Sequence, residues 1–229
     1  MKLITLASGS TGNCYILKRN NGRFAILDCG INMDTITGNP EFTSFSNIDF
    51  VWCCHEHKDH SKSLDGFELA GVKILSYKQL EEKTQRHKIG DWEIVTFPIA
   101  HNVPNWGIII KDPDTKETFC YVTDFYAMPP VEGINNWLYE VNYDTSSVDG
   151  ILFSDNFELL NLGFKNHNGL ENAIEYFGKL KTKPKTITVC HLSRKNANRK
   201  NIVKQLKQFC DKVKLAQGVI ELWETAQKW

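Results

Sequence analysis

Directly after the apolar run Phe50–Cys54 the chain reads His55-Glu56-His57-Lys58-Asp59-His60. Three imidazoles and an aspartate within six residues are more than a solvated turn selects. Imidazole nitrogen and carboxylate oxygen are ligands for zinc-like ions, and alternate residues at a strand end can converge on one point. The run therefore calls for a fold that buries a strand up to Cys54 and opens at its end. Four donors from one loop do not complete a site for two ions.

Further donors stand at the ends of other apolar runs. His101 follows Ile94–Ile99, Asp124 follows Phe119–Val122 and His191 follows Ile187–Cys190. A sheet presents its strand ends along one edge, so these groups can meet there. Leu3–Leu6, Cys14–Leu17, Phe24–Leu27, Trp92–Phe97, Gly107–Ile110 and Thr118–Val122 also read as strands, with turns at Ser8–Asn13 and Asp112–Asp114. Lys62–Ala70 reads as a short helix. Leu170, Ala173, Ile174 and Phe177 share one helical face, with Asn168 and Glu171 in capping spacing. Ile202, Leu206, Phe209 and Val213 predict a second helical face. Strands come first and helices fall between later strands, so the class is α/β, with two sheets and helices outside. No repeat or Pro/Ser-rich linker interrupts the chain, and one domain over residues 1–229 is expected.

Composition narrows the function. Apolar residues make up 41% and charged residues 24%, which are globular values. No apolar run approaches the ~18 residues that span a bilayer. The start has no basic segment followed by an apolar one and a cleavage site, so a cytoplasmic protein is expected. The seven cysteines are odd in number and none forms a CxxC pair, so they read as reduced, buried small hydrophobes. The net charge is zero, yet Lys179–Lys214 holds twelve Lys and Arg against one acid, Asp211. Such a segment can meet a phosphate-bearing partner. Overall neutrality argues against a protein that wraps long nucleic acid.

With these residues in place the chain resembles the metallo-β-lactamase superfamily over nearly its whole length. His55, His57, Asp59 and His60 match its signature, and His101, Asp124 and His191 match the later ligand motifs in order. The resemblance implies an αββα sandwich of two mixed sheets with outer helices. It implies two divalent ions: His55, His57, His101 and Asp124 hold one, and Asp59, His60, Asp124 and His191 hold the other, with Asp124 shared. It also implies that Asp28 buttresses the site. The ligand chemistry suits zinc, and manganese or iron is compatible. Ala7–Asn13, Glu140–Asp144 and His191-Leu192-Ser193 look like the YycJ-like branch, which is related to tRNase Z and includes phage anti-Pycsar phosphodiesterases. In that group a histidine that is not a ligand donates a proton to the leaving group, and His167 is the matching residue. The family often has Gly-His-Leu-Ser there; this chain has Asn166-His167-Asn168-Gly169. Asp59 and His167 are the residues expected to act in catalysis directly.

His57 in place of a carboxylate speaks against the redox di-iron members, and aspartate rather than cysteine at 124 speaks against a common zinc β-lactamase. Phosphodiester hydrolysis remains, with two ions able to ionise a water and clamp phosphoryl oxygens. The resemblance suggests a small substrate, a 3′,5′-cyclic mononucleotide, with a linear 5′-nucleotide as product. A single-strand DNA exonuclease, a glyoxalase-type thioesterase and a non-catalytic nucleic-acid-binding protein are the alternatives. Trp106 and Tyr126 are candidate stacking partners for a base. The resemblance also implies a homodimer, with the loop Phe125–Ile134 as candidate lid or interface. Because His167 precedes a helix, its pKa is expected to be lowered by the helix N-terminus and raised only by a bound phosphate.

Overall fold

Period-two alternation sorts the strand side chains between two faces. In β2 (Cys14–Lys18) Tyr15 and Leu17 enter one buried cluster, while Cys14 and Ile16 enter another. In β9 (Thr118–Val122) Phe119 and Tyr121 point to the first cluster, and Cys120 and Val122 point to a third. Every strand that is buried on both faces needs cover on both. The result is a four-layer arrangement in the computed structural model, which describes residues 1–147 and 166–222.

The first sheet has the order β13-β1-β2-β3-β4-β5. Its other members are β1 (Lys2–Ala7), β3 (Phe24–Cys29), β4 (Ile48–Cys53), β5 (Ile74–Ser76) and β13 (Gly218–Glu221). The second has the order β12-β11-β10-β9-β8-β7-β6, built from β6 (Gln85–Ile89), β7 (Trp92–Ile99), β8 (Asn105–Lys111), β9, β10 (Asn136–Glu140), β11 (Thr186–Cys190) and β12 (Lys212–Leu215). Each sheet is mixed. β3, β4 and β5 run parallel, as do β9, β10, β11 and β12, while the remaining pairs are antiparallel. Leu27, Phe50 and Trp52 from the first sheet meet Trp92, Ile108 and Tyr121 from the second in the central core. Helices α1 (Met33–Thr37) and α3 (Leu64–Leu69) cover the outer face of the first sheet through Ile36, Leu64 and Phe67. Helices α4 (Leu170–Lys179) and α5 (Arg199–Leu206) cover the second through Ala173, Phe177, Ile202 and Leu206. The expected αββα sandwich is the observed architecture.

Three local expectations change. The helix read over Lys62–Ala70 begins at Leu64, and a separate one-turn helix, α2 (Lys58–Ser61), lies inside the histidine run. Val213 is not helical: α5 ends at Leu206, the chain turns, and Val213 returns on β12. The apolar spacing persisted because Phe209 and Val213 pack on the same core as the helix. Asn168 does not cap α4. Gly169 stands at the cap, the Asn168 amide donates to the Glu140 carbonyl at 2.8 Å, and Glu171 accepts from the Thr145 hydroxyl. Among the described residues no helix is long and apolar enough to cross a membrane.

Candidate metal centre

β3, β4, β9, β10 and β11 all end at one edge of the sandwich. β7 ends there too, because it is antiparallel to β8 and β8 is antiparallel to β9. Asp28, the His55–His60 run, His101, Asp124, Glu140 and His191 lie at or just past those ends. Carboxyl-terminal strand edges are where such sheets carry ligands. Among the described residues, four non-glycine positions have positive φ, and three stand at this edge: Asp28 at 56°, Asp124 at 52° and His191 at 51°. The left-handed conformation costs roughly 1–3 kcal/mol at such positions and persists only where surrounding bonds enforce it.

Those bonds are present. The Asn105 amide donates to the carbonyls of Thr123 at 2.9 Å and Asp124 at 2.7 Å. The His191 backbone N–H donates to Ser8 Oγ at 3.0 Å, so the Ser8–Asn13 turn holds a strand end 183 positions away. The same turn anchors the histidine run: Asn13 N–H donates to the Asp59 carbonyl at 2.7 Å, and Gly30 N–H donates to the Asn13 carbonyl at 2.9 Å. Gly30 must be glycine, since a Cβ there would stand 1.7 Å from the Asp59 carbonyl oxygen.

The predicted donors come together in two overlapping sets. His55, His57, His101 and Asp124 form one, and Asp59, His60, Asp124 and His191 form the other, with the donor atoms of each within 4.8 Å of one another. Asp124 belongs to both, its Oδ2 lying 3.7 Å from His55 Nε2 and 3.4 Å from His60 Nε2, and its Oδ1 3.2 Å from His191 Nε2. His55, His60, Asp124 and His191 are buried, while His57, Asp59 and His101 are partly exposed. Buried Nε2 atoms of His55, His101 and His191 have no hydrogen-bond partner. An orphaned buried polar atom costs free energy unless something meets it. His55 and His101 belong to the first set and His191 to the second, and divalent cations held by the two sets would satisfy all three. The residues therefore fit a metal, and O/N donors with a shared carboxylate suit ions of the zinc and manganese type.

The second nitrogen of four of these rings is held in turn. His60 Nδ1 lies 2.6 Å from Asp28 Oδ2, and Asp28 also accepts from Tyr121 Oη at 2.6 Å and Cys54 N at 2.9 Å. Asp28 thus stands where a buttress is needed. His191 Nδ1 lies 3.2 Å from Glu140 Oε1, His101 Nδ1 lies 3.1 Å from the Asn166 carbonyl, and His55 Nδ1 lies 3.1 Å from Cys54 Sγ. A carboxylate or carbonyl at Nδ1 keeps the proton there and turns the Nε2 lone pair inward.

The electrostatics separate the two sets. Burial lowers His55 and His101, and neighbouring rings depress them further. Burial also opposes the charged forms of His60 and His191, but carboxylates outweigh it. Asp124 leads in both, raising His60 well above its ordinary value and His191 to about 10. Burial would raise Asp59 and Asp124, yet the facing histidines bring both down. This is a pocket made for positive charge, whether protons or a cation.

His167 stands at the same edge, its Nδ1 4.0 Å from Asp124 Oδ1 and its ring stacked at 5.1 Å on His191. The sequence did not single out its partner, the wholly buried Glu140, whose Oε1 lies 2.7 Å from His167 Nδ1. Burial would lower His167, and Glu140 more than offsets it, so the pKa is raised without any phosphate. The expected lowering by the helix N-terminus is thus reversed by a carboxylate that lies on another strand. Glu140 was legible by the same criterion as the ligands: it closes the apolar run Trp137-Leu138-Tyr139. Asn13 and Cys54 also touch the site, the Asn13 amide lying 3.0 Å from His60 Nε2. Cys54 Sγ donates to Asp28 Oδ2 at 3.2 Å, a polar role for a residue read as a small hydrophobe. All seven cysteines are buried and unpaired. Trp106 is core, 4% exposed, and donates to the Glu81 carbonyl, whereas Tyr126 is 49% exposed.

The same two sheets and the same order of elements occur in solved structures. A metallo-β-lactamase fold protein, YhfI from Bacillus subtilis, superposes with a TM-score of 0.69 at 16% identity, covering 96% of this chain and 99% of that one. The fold is that of a metallo-β-lactamase. Human tRNase Z, short form, gives 0.67 at 14% identity over 98% of this chain and 100% of that one. Unliganded yeast PDE1 gives 0.63 at 11% identity over 95% and 98%. No protein-family model and no curated protein matches the sequence. Within the metallo-β-lactamase fold the two donor sets occupy the shared strand edge, and the His167–Glu140 pair borders them.

Proposed function

We propose that this chain is a metal-dependent phosphodiesterase that hydrolyses 3′,5′-cyclic mononucleotides to linear 5′-nucleotides. The observation that carries it is Asp124 shared between two donor sets, with a protonatable histidine 4.0 Å from it on a buried glutamate. His55, His57, His101 and Asp124 would hold one ion, and Asp59, His60, Asp124 and His191 a second, with zinc as the expected metal. Ions held there would supply Lewis acidity and an ionised water at neutral pH. His167 supplies the remaining need. As the P–O3′ bond breaks, its electron pair leaves on O3′, and the Nε2–H of His167 protonates that oxygen. Glu140 keeps Nδ1–H in place and stabilises the protonated ring beforehand. Asp59 Oδ2, 3.4 and 3.8 Å from the Nε2 atoms of His60 and His191, would join them as a ligand of the second ion.

The structural neighbours tRNase Z and PDE1 support a phosphodiester substrate. The YycJ-like and anti-Pycsar assignment rests on the motifs Ala7–Asn13, Glu140–Asp144 and His191–Ser193, which here form the scaffold of the site. Asn142 donates to the His191 carbonyl at 2.9 Å, and Asp144 accepts from Asn201 at 2.7 Å. The same resemblance implies a homodimer, with Phe125–Ile134 as candidate lid or interface, and the sequence pattern is that of one cytoplasmic domain over residues 1–229. Light scattering at twice the 26.2 kDa chain mass would support the dimer, and a mass at 26.2 kDa would reject it.

One observation favours a second reading, the single-strand DNA exonuclease. Arg199, Lys200, Lys204 and Lys207 line a groove of about 390 Å³ on α5, floored by Val203 and Leu215. The deciding experiment measures metal content and then assays the four cyclic mononucleotides beside labelled DNA oligonucleotides. Cyclic-nucleotide hydrolysis with little salt dependence supports the main reading. Stepwise DNA degradation that falls steeply with salt transfers it to the exonuclease.

A further inference from the structure

A cavity opens beside the metal centre, with Asn168, the residue after His167, in its lining. It measures about 450 Å³ and lies between the loop after Asp124 and helix α4. Its floor is Phe125 and Tyr139, whose rings meet edge-on at 5.4 Å. Tyr176 forms a wall, fixed by the Val131 N–H, which donates to its hydroxyl at 2.9 Å. The exposed rings and amides of Tyr126 and Asn172 stand at the mouth.

Its walls are continuous with the proposed acid. Asn168, buried and adjacent to His167, closes one end, with its amide on the Glu140 carbonyl. Phe125 follows Asp124, and its N–H donates to Glu140 Oε2 at 3.2 Å. Tyr126 N–H donates to the Ala100 carbonyl at 3.0 Å, one residue before His101. Glu140 thus orients the acid from one oxygen and pins the cavity floor from the other. The chamber is thus lined by the residues that directly follow Asp124 and His167.

Charge and shape select its occupant. The lining is aromatic and apolar with amide groups, the pattern of a small-molecule site in the usual range of a few hundred Å³. Glu132 and Glu175 stand on it, and its one cation, Lys179, is paired with Glu175. A continuing phosphate backbone would be repelled, while a neutral planar ring with hydrogen-bonding edges is not. We infer that the cavity binds the nucleoside that carries the departing oxygen, with the base against Tyr126 and Tyr176 and its edge toward Asn172. This rests on the phosphodiesterase reading and names the part of the substrate that the metal centre does not touch. It makes the site one for a single terminal or cyclic nucleotide rather than for the interior of a strand.

The test separates the cavity from the chemistry. Adenosine, guanosine, cytidine and uridine, which have no phosphate, are titrated into the protein by calorimetry or NMR with and without chelator. At least one should bind, and binding should survive chelation. Tyr126→Ala should weaken it about 5- to 100-fold, the usual span for removing a stacking ring. Asn172→Trp, at an exposed helix position, should block the mouth and abolish binding with the melting temperature kept. In catalysis, both variants should raise KM for the preferred cyclic nucleotide. They should also lower its kcat/KM at least about tenfold relative to that for methyl p-nitrophenyl phosphate, which lacks a nucleoside. No nucleoside binding to the wild-type chain, or binding untouched by either variant, overturns the inference. So does an equal loss on both diesters. If nucleosides bind as described but no diester is cleaved, the cavity stands and the phosphodiesterase reading falls.

Discussion

The two donor sets share Asp124 but are built on opposite principles. His55 and His101 are held by weak or neutral partners, a thiol and a backbone carbonyl, and the rings of His57 and His101 reach solvent. His60 and His191 are wholly enclosed and braced by two buried carboxylates, Asp28 and Glu140. In the first set burial, joined by neighbouring rings, lowers His55 and His101. In the second, negative charge overrides burial and raises His60 and His191. The same imidazole thus becomes a ready neutral ligand on one side and a proton holder on the other, and the difference lies in residues that are not ligands. The second set should bind the tighter ion at high pH and should be the more sensitive to acid.

Removing the shared residue should erase the contrast. Asp124→Ala is expected to lose both ions and to lower activity by at least about 10³-fold, read by elemental analysis and turnover. Two tightly held metals in that variant would break the idea of a shared ligand. His167→Ala should keep both ions and the fold while kcat falls about 10²–10⁴-fold. The fall should be smaller on a nitrophenyl diester, whose leaving group needs no proton. Equal losses on both substrates would make His167 a positioning residue.

The bracing residues sharpen the comparison. Asp28→Asn should weaken the second ion about 10- to 100-fold in chelator competition. Cys54→Ala, which removes the thiol beside His55 and its bond to Asp28 but leaves the Asp28 carboxylate, should change the first by less than about threefold. Similar losses at both would show that the carboxylate brace is not the source of the difference. The pH dependence tests the same contrast without a substitution. His191 is raised to about 10, so below that pH an incoming ion must displace its proton. His60 is raised as well, so affinity at the second set should rise at least about tenfold per pH unit between roughly 7 and 9, and more steeply than at the first, where burial lowers His55 and His101. For catalysis the sign is opposite. Glu140 raises His167, so Glu140→Gln should bring the alkaline fall of kcat to lower pH, because the acid then loses its proton sooner.

Much of this was legible in the chain itself. Apolar runs ending in His or Asp marked β4, β7, β9 and β11, because a buried strand must be apolar and its end is the first place a polar donor can stand. The periodicity of Leu170, Ala173, Ile174 and Phe177 marked α4 for the same reason. The pattern failed where two elements share one core. Val213 continued the apparent face of α5 but belongs to β12, since burial constrains polarity and not the element that supplies it. Asn168 looked like a cap because Ser, Asn and Asp are interchangeable by type at helix starts, while its amide is spent on Glu140.

By itself, then, the order of residues determined the donor set, the strand ends that carry it and the layered α/β class. Donor chemistry and hydrophobic patterning are local properties, readable one segment at a time. The resemblance implied which donors share Asp124, but only the tertiary structure decided that Glu140 stands 2.7 Å from His167. It alone decided that Ser8 and Asn13 hold strand ends far along the chain, and that a cavity opens beside the acid. These depend on how parallel strands from two sheets stagger at a common edge. That stagger is set by long-range packing, whose energy is distributed over the whole core and appears in no single motif.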